Sequence, residues 1–533
     1  MTAQRGVPAP TLALDDHGLV RWAPAPPPVG PGTVAEVLDA VIATDPHRLA
    51  LVDDRTAMSY ADLDAAVNRF AWVLRDEGLR PGDRVAARLP NCAEIVVAFL
   101  AAMRLGLIWV GVNRALAAPE CAFLLSDSGA SLLLAEPGES QGTGIPVLAL
   151  DGEFSRRVAG ASADRPRVTV DPYAPAAIAY TSGTTGTPKG AVHSQHNMVL
   201  PAANALSVGS VAAGSRQGVV LPLTILNLQI LGPVTTFACG ATCVPLDRID
   251  VLGLVDGVRR HRVERLSAPP TTAYDLLTHP AVREQDIATL SQLGVGGAGA
   301  PDGLNQRYRE RFGRLFVTSY GLTEAPTAVT IDDRDPRPDG SAGFPLGHLA
   351  VSILAPDGSA VPLGRDGEIV VGPRRDGPFA DAYSPMLGYW NRPAATCQAL
   401  TSDGWLHTGD LGRIGQDGTL YVVGRRNDLI VRGGANVYPA EVELALMAHP
   451  DVAEAAVVGR PDSRLGETVV AAVRPRDGAE LTAETLREFC ADRIARYKIP
   501  AEIRLVADLP RNAMGKVVKK AVRASFAEDD ENK

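Results

Sequence analysis

The segment that decides the fold reads Tyr180-Thr-Ser-Gly-Thr-Thr-Gly-Thr-Pro-Lys-Gly190. It follows the apolar run at residues 176–179 and precedes a predicted helix that begins near Asn197. Glycines lack a Cβ, so backbone N–H groups can face a phosphate, while the Thr and Ser hydroxyls and Lys189 add donors and positive charge. The segment is not a Walker loop, because Pro188 precedes the lysine and no Gly-Lys-Ser/Thr follows. It therefore predicts a phosphate-binding loop of another kind.

On both sides of this loop the sequence alternates between helical and strand patterns. Residues 60–77 have helical apolar periodicity, and residues 84–89 read as a strand after the turn Pro81-Gly82-Asp83. Similar units recur at residues 244–279 and 293–324. The alternation predicts an α/β fold with layered sheets flanked by helices.

The pattern changes after residue 350, where short strands alternate with the turn dipeptides Asp357-Gly358, Asp366-Gly367 and Asp417-Gly418. This alternation of short strands and turns predicts a small β-rich subdomain, followed by a compact α/β C-terminal region. A length of 533 residues exceeds what one hydrophobic core supports. We therefore predict a Pro-rich arm at residues 1–34, a large N-terminal domain at 35–426 with two layered α/β subdomains and the β-rich one, and a small α/β C-terminal domain at 427–533.

Composition excludes several classes of protein. With 46% hydrophobic and 21% charged residues the chain is an ordinary globular protein, and a net charge of −9 argues against nucleic acid as the main partner. The six cysteines lack disulfide or zinc spacing and no secretory signal is indicated, so a cytoplasmic location is expected. Residues 217–246 are uncharged, but Pro222, Gly232 and Pro233 interrupt them, and we predict a buried strand and helix there, not a membrane span.

Lysine is rare in this chain. It occurs only at positions 189, 498, 516, 519, 520 and 533, so arginine carries nearly all of the positive charge. Lysine and arginine differ where a compact, flexible ammonium must reach a phosphate or carboxylate oxygen. The few lysines are therefore candidates for function.

Three further motifs carry groups suited to nucleotide chemistry. Tyr320-Gly-Leu-Thr-Glu324 follows Gly296-Gly-Ala-Gly-Ala-Pro301, where small residues let a flat ring lie against the backbone and a carboxylate can ligate Mg²⁺. Gly404-Trp-Leu-His-Thr-Gly-Asp410 ends in an aspartate that can accept hydrogen bonds from ribose hydroxyls. Leu509-Pro-Arg-Asn-Ala-Met-Gly-Lys516 ends in a lysine that can neutralise charge developing near a phosphate.

These motifs, in this order, resemble those of the adenylate-forming superfamily, which contains acyl-CoA synthetases, carrier-protein adenylation domains and beetle luciferases. The resemblance runs from about residue 35 to about residue 525. It implies that Tyr320 stacks on adenine, Thr323 contacts the α-phosphate and Glu324 holds Mg²⁺. It also implies that Asp410 and Arg425 bind the ribose and that Lys516 is the adenylation lysine. The implied ATP- and AMP-binding residues are Thr181, Ser182, Gly183, Thr184, Thr185, Gly186, Lys189, Gly297, Ala298, Tyr320, Asp410 and Arg425, and the implied catalytic residues are Lys516, Thr323 and Glu324.

The C-terminal domain contains Arg432-Gly-Gly-Ala-Asn-Val-Tyr-Pro-Ala-Glu441, whose glycines leave a narrow passage for a pantetheine arm. The resemblance assigns Arg432, Gly433 and Gly434 to CoA and implies a mobile C-terminal domain that rotates about a hinge residue between two half-reactions. The family usually has Asp or Lys at the hinge, whereas this chain has Asn427. Asparagine tolerates unusual backbone angles, so rotation stays feasible.

The acyl pocket departs from the family pattern. Many acyl-CoA synthetases carry an aromatic residue, a histidine and a glycine where this chain has Thr224, Ile225 and Leu228, and Asn227 belongs to the same predicted pocket. Gln195 stands where the family commonly has histidine near the acyl entrance. The loss of these polar groups predicts a bulky, largely apolar acid.

The resulting hypothesis is an AMP-forming acyl-CoA synthetase, which converts a carboxylic acid, ATP and CoA into acyl-CoA, AMP and pyrophosphate with Mg²⁺ as cofactor. Loading of a carrier-protein thiol is an alternative. A second alternative is an enzyme specialised for thioester formation from a supplied acyl-adenylate, or a non-catalytic adenylate sensor. Luciferase-like oxidation shares the adenylation residues and also stays open, whereas a kinase is excluded because the catalytic-loop aspartate motif is absent.

Overall fold

The computed structural model describes residues 12–138, 144–181, 188–248, 250–296, 304–314, 316–338, 340–432, 435–462, 464–511 and 516–527. The helices are α1 (Asp39–Thr44), α2 (Tyr60–Asp76), α3 (Ala93–Arg104), α4 (Ala118–Ser128), α5 (Gly152–Gly160), α6 (Gln195–Val208), α7 (Leu226–Gln229), α8 (Thr235–Ala238), α9 (Val251–His261), α10 (Pro270–Thr278), α11 (Leu304–Phe312), α12 (Pro393–Ala399), α13 (Pro439–Met447), α14 (Ala483–Ala491) and α15 (Lys519–Ala527). A π-helical turn, Ile230–Val234, joins α7 to α8.

The strands number in chain order as follows. In the first part of the chain they are β1 (Leu49–Val52), β2 (Ala57–Ser59), β3 (Arg84–Arg88), β4 (Ile108–Gly111), β5 (Leu132–Ala135), β6 (Val147–Ala149), β7 (Pro175–Thr181), β8 (Lys189–Ser194), β9 (Arg216–Val219), β10 (Thr242–Pro245), β11 (Arg265–Ala268), β12 (Gln292–Gly296) and β13 (Val317–Leu322). They continue as β14 (Ala325–Asp332), β15 (Ser341–Pro345), β16 (Ala350–Leu354), β17 (Gly367–Gly372), β18 (Gly388–Tyr389), β19 (Leu406–Ile414), β20 (Leu420–Arg425), β21 (Ile430–Arg432), β22 (Ala435–Val437), β23 (Val452–Asp462), β24 (Gly466–Pro475) and β25 (Glu502–Leu505).

The large domain contains two sheets. One has seven strands in the order β18-β8-β7-β4-β3-β5-β6, parallel from β7 to β6 and antiparallel at β8 and β18. The other has thirteen strands in the order β16-β17-β19-β20-β15-β14-β13-β12-β11-β9-β10-β1-β2. Strands β1, β9, β10, β11, β12 and β13 pair in parallel. The helices between the parallel strands cover these sheets, which confirms the predicted pair of α/β subdomains.

Local signals explain several boundaries. Helix α2 begins at a capping box, in which Asp62 N–H donates to Ser59 Oγ and Ser59 N–H donates to Asp62 Oδ2, each at 3.1 Å. Helix α4 ends at Gly129, whose φ of 62° lies in the left-handed region that glycine favours. Helix α6 begins at Gln195, two residues before the predicted start, and β8 lies between it and the phosphate-loop segment.

The β-rich subdomain is the antiparallel half of the larger sheet, where β16, β17, β19 and β20 pair in turn. Gly358 and Gly418 adopt positive φ in the predicted turns. The third predicted turn, Asp366-Gly367, is wrong, because Gly367 begins β17. A Cβ at Gly367 would lie 2.5 Å from the Leu354 carbonyl oxygen, so glycine is needed there for close strand approach.

The C-terminal domain is a separate sheet with helices on it. Strands β22, β21, β24 and β23 pair in that order, and β25 joins β24 in parallel. Helices α13 and α14 enclose an apolar core with one face of this sheet, and Phe526 of α15 fills a second cluster. The predicted boundary between residues 426 and 427 stays a prediction, although it falls in the connection between β20 and β21.

The uncharged segment at residues 217–246 forms β9, the helical stretch from α7 to α8, and β10. Its apolar side chains, among them Leu226, Ile230, Val234 and Phe237, belong to the main core cluster. This confirms the predicted buried strand and helix. Among the described residues, no helix has both the length and the apolar character needed to cross a bilayer.

Candidate active site

The two ends of the predicted phosphate loop are adjacent strands. Thr181 ends β7, Lys189 begins β8, and the two residues pair in antiparallel register. The Thr181 hydroxyl donates to the Lys189 carbonyl oxygen at 3.5 Å. The predicted phosphate-binding residues Ser182, Gly183, Thr184, Thr185 and Gly186 lie outside the described residues. The predicted loop therefore connects two hydrogen-bonded neighbours, β7 and β8, of the seven-stranded sheet.

Residues from two other motifs meet at a buried aspartate. The Tyr320 hydroxyl donates to Asp410 Oδ2 at 2.7 Å, and Arg425 Nε lies 3.2 Å from Asp410 Oδ1. Asp410 and Arg425 are register partners on β19 and β20, and the Thr408 hydroxyl accepts from the Asp410 N–H at 3.0 Å. The structure therefore brings together the three residues that the sequence assigns to adenosine.

The environment of Asp410 alters its acidity. Only 6% of the residue is exposed, and this burial raises the pKa of the Asp410 carboxyl, although the charge of Arg425 opposes the shift. Burial, followed by the neighbouring Asp410 carboxylate, raises the pKa of Tyr320 well above its ordinary value. Tyr320 consequently stays a hydrogen-bond donor to Asp410.

Lys516 lies at the same place although it comes from the C-terminal domain. Desolvation lowers the pKa of Lys516, the positive charge of Arg425 lowers it further, and the charge of Asp410 opposes both. Part of the Lys516 residue remains exposed to solvent. Since Arg425 and Asp410 both act on its ammonium, the C-terminal domain is oriented with the predicted adenylation lysine beside the ribose-binding residues.

Thr323 and Glu324 form the tight connection between β13 and β14. No helix begins at this Thr-Glu pair, because β14 begins directly at Ala325. The Glu324 carbonyl oxygen accepts from Met386 N–H at 3.0 Å, and Tyr389 O–H donates to Glu324 Oε1 at 2.8 Å. Sequence reasoning did not identify Tyr389, whose contact with Glu324 depends on strand pairing far along the chain.

The donor chemistry at Glu324 fits Mg²⁺ held together with ATP. Among the described residues, no group of three or more His, Cys, Asp or Glu side chains forms a metal cage. Mg²⁺ usually keeps several waters and binds one or two carboxylates plus substrate phosphates, so a lone carboxylate near a phosphate loop is a suitable ligand set. Of the two carboxylate oxygens of Glu324, Oε1 accepts a hydrogen bond from Tyr389, so Oε2 is the candidate ligand atom.

The predicted acyl-pocket residues lie beside the Thr323-Glu324 turn. Asn227 Nδ2 donates to the Leu322 carbonyl oxygen at 3.2 Å, and Ile225 precedes α7 as its N-cap. A Cβ at Gly111 of β4 would lie 1.8 Å from the Thr224 carbonyl oxygen, so the loop packs directly on that strand. Leu228 packs partly against the main core. Asn227 Oδ1 and Thr224 Oγ1 are buried without a hydrogen-bond partner among the described residues.

Gln195 has a structural role that the sequence does not reveal. The residue is 1% exposed, its Oε1 accepts from Ala35 N–H at 3.0 Å, and its Nε2 donates to the Met103 carbonyl oxygen at 2.8 Å. Both ends of the amide are therefore occupied in the core. The amide of Gln195 therefore links the segment before α1 to the end of α3, and its predicted place near the acyl entrance stays a prediction.

The predicted hinge residue Asn427 lies in the short 3-10 turn Arg426–Asp428 between β20 and β21. Beside it, Glu368 of β17 accepts from His407 Nδ1 at 3.1 Å and from Arg426 Nη1 at 3.2 Å. Burial acts to raise the pKa of Glu368, but the His407 hydrogen bond and the Arg426 charge outweigh it and the pKa is lowered. Glu368 is thus an ionised anchor next to the hinge that the motifs did not identify.

The remaining predicted site residues are Arg432 and four glycine or alanine positions. Gly297, Ala298, Gly433 and Gly434 lie outside the described residues. Arg432 ends β21 and donates from Nη1 to the Tyr497 carbonyl oxygen within the C-terminal domain. That Gly433 and Gly434 line a passage for CoA therefore stays a prediction.

Comparison with known proteins accords with this arrangement. The family described as AMP-binding enzyme matches residues 38–390, and the family described as AMP-binding enzyme C-terminal domain matches residues 441–516. The chain belongs to the AMP-binding enzyme family. The predicted resemblance is thereby confirmed, and the chain is an enzyme of this adenylate-forming family.

Individual relatives of this AMP-binding enzyme cover nearly its whole length. A feruloyl-CoA synthase of an Amycolatopsis species is 37% identical over 90% of this chain and 96% of its own. A fatty acid–[acyl-carrier-protein] ligase of Streptomyces coeruleorubidus is 32% identical over 92% of this chain and 95% of its own. The structure of o-succinylbenzoate CoA synthetase from Bacillus subtilis in complex with an acyl-adenylate intermediate has a TM-score of 0.80 and 32% identity, covering 92% of this chain and 98% of that one. The observed α/β fold with a small C-terminal domain is the fold of these enzymes.

Proposed function

We propose that this enzyme activates a carboxylic acid with ATP and transfers the acyl group to the thiol of coenzyme A. One observation carries the proposal: Tyr320 and Arg425 contact the Asp410 carboxylate at 2.7 and 3.2 Å, and the charges of Arg425 and Asp410 both act on the Lys516 ammonium. The similarity to a feruloyl-CoA synthase and to other acid–CoA ligases supports the same chemistry.

In the first half-reaction the acid and ATP form an acyl-adenylate. A carboxylate oxygen attacks the α-phosphorus, the new O–P bond forms, and the bond to the bridging oxygen of pyrophosphate breaks. Thr181, Lys189 and the loop Ser182–Gly186 would bind the phosphates, with Thr323 at the α-phosphate. Asp410 and Arg425 would bind the ribose, while Tyr320, with Gly297 and Ala298, would line the adenine site. Mg²⁺, when bound at Glu324, would neutralise phosphate charge.

Lys516 would act on charge that develops during this attack. An ammonium close to both nucleophile and α-phosphate stabilises the transition state more than the ground state, because negative charge concentrates there. Its lowered pKa reflects the desolvated and positively charged surroundings. Ionised Asp410 helps to keep it protonated.

In the second half-reaction the thiolate of CoA attacks the acyl carbon and AMP leaves. We propose that the C-terminal domain, residues 427–533, turns about Asn427 between the two steps. Arg432, Gly433 and Gly434 would then line the passage for pantetheine. The small 3-10 turn at the hinge, with few buried side chains, supports such a motion.

The substrate that fits best is a bulky, largely apolar acid. Ile225 and Leu228 supply apolar surface, and the predicted pocket region just after Pro222 contains no aspartate to hold a substrate ammonium. Asn227 Oδ1, without a described partner, offers one hydrogen-bond acceptor to the acyl group. A panel of acids should give the highest kcat/KM for aromatic or long aliphatic acids; the highest value for acetate or an amino acid would refute this substrate class.

One of the relatives points to a second candidate for the thiol that accepts the acyl group. The Streptomyces coeruleorubidus relative is a ligase for fatty acid and acyl-carrier protein. Supplying CoA and a phosphopantetheine-bearing carrier protein in separate reactions distinguishes the two acceptors. We expect CoA to be used with a kcat/KM at least ten-fold higher, which is about 1.4 kcal/mol of discrimination; the reverse order would assign the enzyme to carrier loading.

All six cysteines are free, which supports a cytoplasmic location.

A further inference from the structure

One side chain outside the recognised motifs contacts two of them at once. Tyr389 O–H donates to Glu324 Oε1 at 2.8 Å, and Lys189 Nζ lies 4.5 Å from the centroid of the same ring. Glu324 belongs to the turn after β13, whereas Lys189 follows the phosphate loop on β8. Tyr389 therefore connects the proposed metal ligand to the proposed phosphate ligand.

The backbone around Tyr389 is fixed on both sides. Tyr389 pairs with Ala191 of β8, and its N–H donates to Thr396 Oγ1 at 3.0 Å. The next residue, Trp390, donates its N–H to the Gly190 carbonyl oxygen at 2.8 Å. Since β18 is hydrogen-bonded to the strand that carries Lys189, the backbones that carry the ring and the ammonium are held side by side.

The N-terminal arm adds a second layer of support. Val20 N–H donates to the Leu387 carbonyl oxygen at 2.7 Å, and Asn391 N–H donates to the His17 carbonyl oxygen at 2.9 Å. The His17 ring stacks on Trp390 with centroids 4.2 Å apart. The segment that carries Tyr389 is thus held between β8 and the arm.

The hydroxyl of Tyr389 can act only as a donor to Glu324. Burial raises its pKa well above the ordinary tyrosine value, and the Glu324 carboxylate raises it further. The residue is 7% exposed, so solvent does not compete effectively for the hydrogen bond. A donor on Oε1 fixes the rotation of the carboxylate and leaves Oε2 directed elsewhere.

The ring makes an independent contribution through Lys189. A cation within about 6 Å of an aromatic centroid is attracted by the ring quadrupole. This contact holds an ammonium close to the ends of the phosphate loop without neutralising it, as a carboxylate partner would. Lys189 keeps its charge available for phosphate.

We propose that Tyr389 is a positioning residue for adenylation, which orients Glu324 through its hydroxyl and Lys189 through its ring. The proposal rests on the proposed function, because it requires Glu324 to act with Mg²⁺ and ATP. The hydroxyl and the ring of Tyr389 have different roles, since only the hydroxyl serves the Mg²⁺-dependent part of ATP binding. The second half-reaction starts from acyl-adenylate and therefore does not need the contact between the hydroxyl and Glu324.

Two variants test the hydroxyl. Tyr389→Phe removes it and keeps the ring over Lys189. Tyr383→Phe is the matched control, because Tyr383 belongs to the same apolar cluster and its buried hydroxyl has no hydrogen-bond partner among the described residues. Glu324→Gln serves as the reference for loss of the carboxylate.

The first measurement is thermal unfolding of the full chain with ATP, with and without Mg²⁺. We expect Tyr389→Phe to require about ten-fold more Mg²⁺ for the half-maximal rise in Tm, as for other partners of metal ligands. The rise in Tm produced by ATP in EDTA should be unchanged, because the contact with Lys189 is kept. Tyr383→Phe should match the wild type in both.

The second measurement separates the half-reactions. Tyr389→Phe should raise the Mg²⁺ requirement of ATP–pyrophosphate exchange by about ten-fold, and thioester formation from synthetic acyl-adenylate should stay within about two-fold of the wild type. Equal loss of both half-reactions, or the same shift in Tyr383→Phe, would overturn the inference. So would an unchanged Mg²⁺ requirement in Tyr389→Phe when Glu324→Gln is impaired. An unimpaired Glu324→Gln would instead refute the proposed role of Glu324 itself.

Discussion

The proposed nucleotide side and the proposed acyl side of the active site differ in how their polar groups are partnered. On the nucleotide side, Asp410 bonds to Tyr320 and Arg425, and Glu324 bonds to Tyr389. On the acyl side, Thr224 Oγ1 and Asn227 Oδ1 have no hydrogen-bond partner among the described residues. The first region is ordered by contacts between protein side chains, whereas the second keeps polar atoms available.

This difference reflects the ligands that the two regions would bind. Every family member binds ATP in every turnover, so a preorganised nucleotide site does not restrict which acids the enzyme can use. The acid differs between relatives, and its pocket is built from a loop and a short helix with a π-helical turn at Ile230–Val234. Substitutions on the nucleotide side should therefore impair adenylation of every acid, and substitutions on the acyl side should change which acid is preferred.

The largest effect is expected for Lys516→Ala. Loss of the ammonium removes transition-state stabilisation at the α-phosphate, so adenylation should fall by about a hundred-fold or more. Thioester formation from supplied acyl-adenylate should be spared. The measurement is pyrophosphate exchange beside thioester synthesis, with Lys520→Ala, an exposed lysine of α15, as the control. Equal loss of both half-reactions would contradict the role.

Asp410→Asn should raise the KM for ATP by about ten-fold, because a charge-assisted acceptor for the ribose is lost. The acid preference should be unchanged, which a panel of acids at saturating ATP checks. A changed order of acids in this variant would mean that the two regions are not separate.

Asp410 also gives a prediction about pH. The pKa of Asp410 is raised in the folded protein, so this carboxylate becomes protonated at a higher pH than a solvated aspartate does. As the pH falls, the affinity of the wild type for ATP should therefore decrease at that higher pH. Asp410→Asn should not show this decrease. The folded state binds this proton more tightly than the unfolded state does. This carboxyl therefore lowers the free energy of unfolding as pH rises from the ordinary aspartate range through the raised pKa. ATP titrations by calorimetry at several pH values provide the test.

Glu368→Gln should have a moderate effect on the balance between half-reactions. The substitution weakens the contacts with Arg426 and His407 beside the hinge, so the observed domain orientation loses stability. The rate of adenylation should fall by about five-fold, which corresponds to the free energy that a partly buried ion pair contributes. The rate of thioester formation should not fall. Asp366→Asn, which alters a pair with Arg413 whose carboxylate is more exposed than that of Glu368, is the control. A fall confined to thioester formation would reverse the assignment of the orientation.

The smallest effect is expected for Asn227→Leu. Removing an amide whose oxygen is unpartnered should favour apolar acids over acids with a remote polar group by about three-fold in kcat/KM. The KM for ATP should not change. A loss of ATP affinity comparable with that of Asp410→Asn would show that the acyl-side residue supports the nucleotide site.

Much of the nucleotide side could be predicted because its residues lie in short motifs whose order along the chain is informative. The meeting of Tyr320, Asp410 and Arg425 follows from such strings, as does the choice of Lys516 as a candidate, while their roles stay predictions. Tyr389 could not be found in this way, because its contact with Glu324 arises from the pairing of β18 with β8. Glu368 and Arg426 likewise meet only when β17, β19 and β20 are placed side by side.

Two further features could not be read from the residues that are neighbours in sequence. Gln195 follows the phosphate-loop strand, yet its amide spans the core between Ala35 and Met103. Asp366-Gly367 has turn composition, but the close approach of the Leu354 carbonyl places Gly367 inside a strand. In both cases tertiary packing overrides a local preference.

The most direct test of the account is a single-turnover reaction of the enzyme with ATP, Mg²⁺, a bulky acid and CoA, in which acyl-adenylate, pyrophosphate and acyl-CoA are quantified over time. The account predicts that acyl-adenylate and pyrophosphate appear together and first, and that acyl-CoA follows in an equal final amount. Acyl-CoA formed from synthetic acyl-adenylate, without any ATP-dependent release of pyrophosphate, would contradict it.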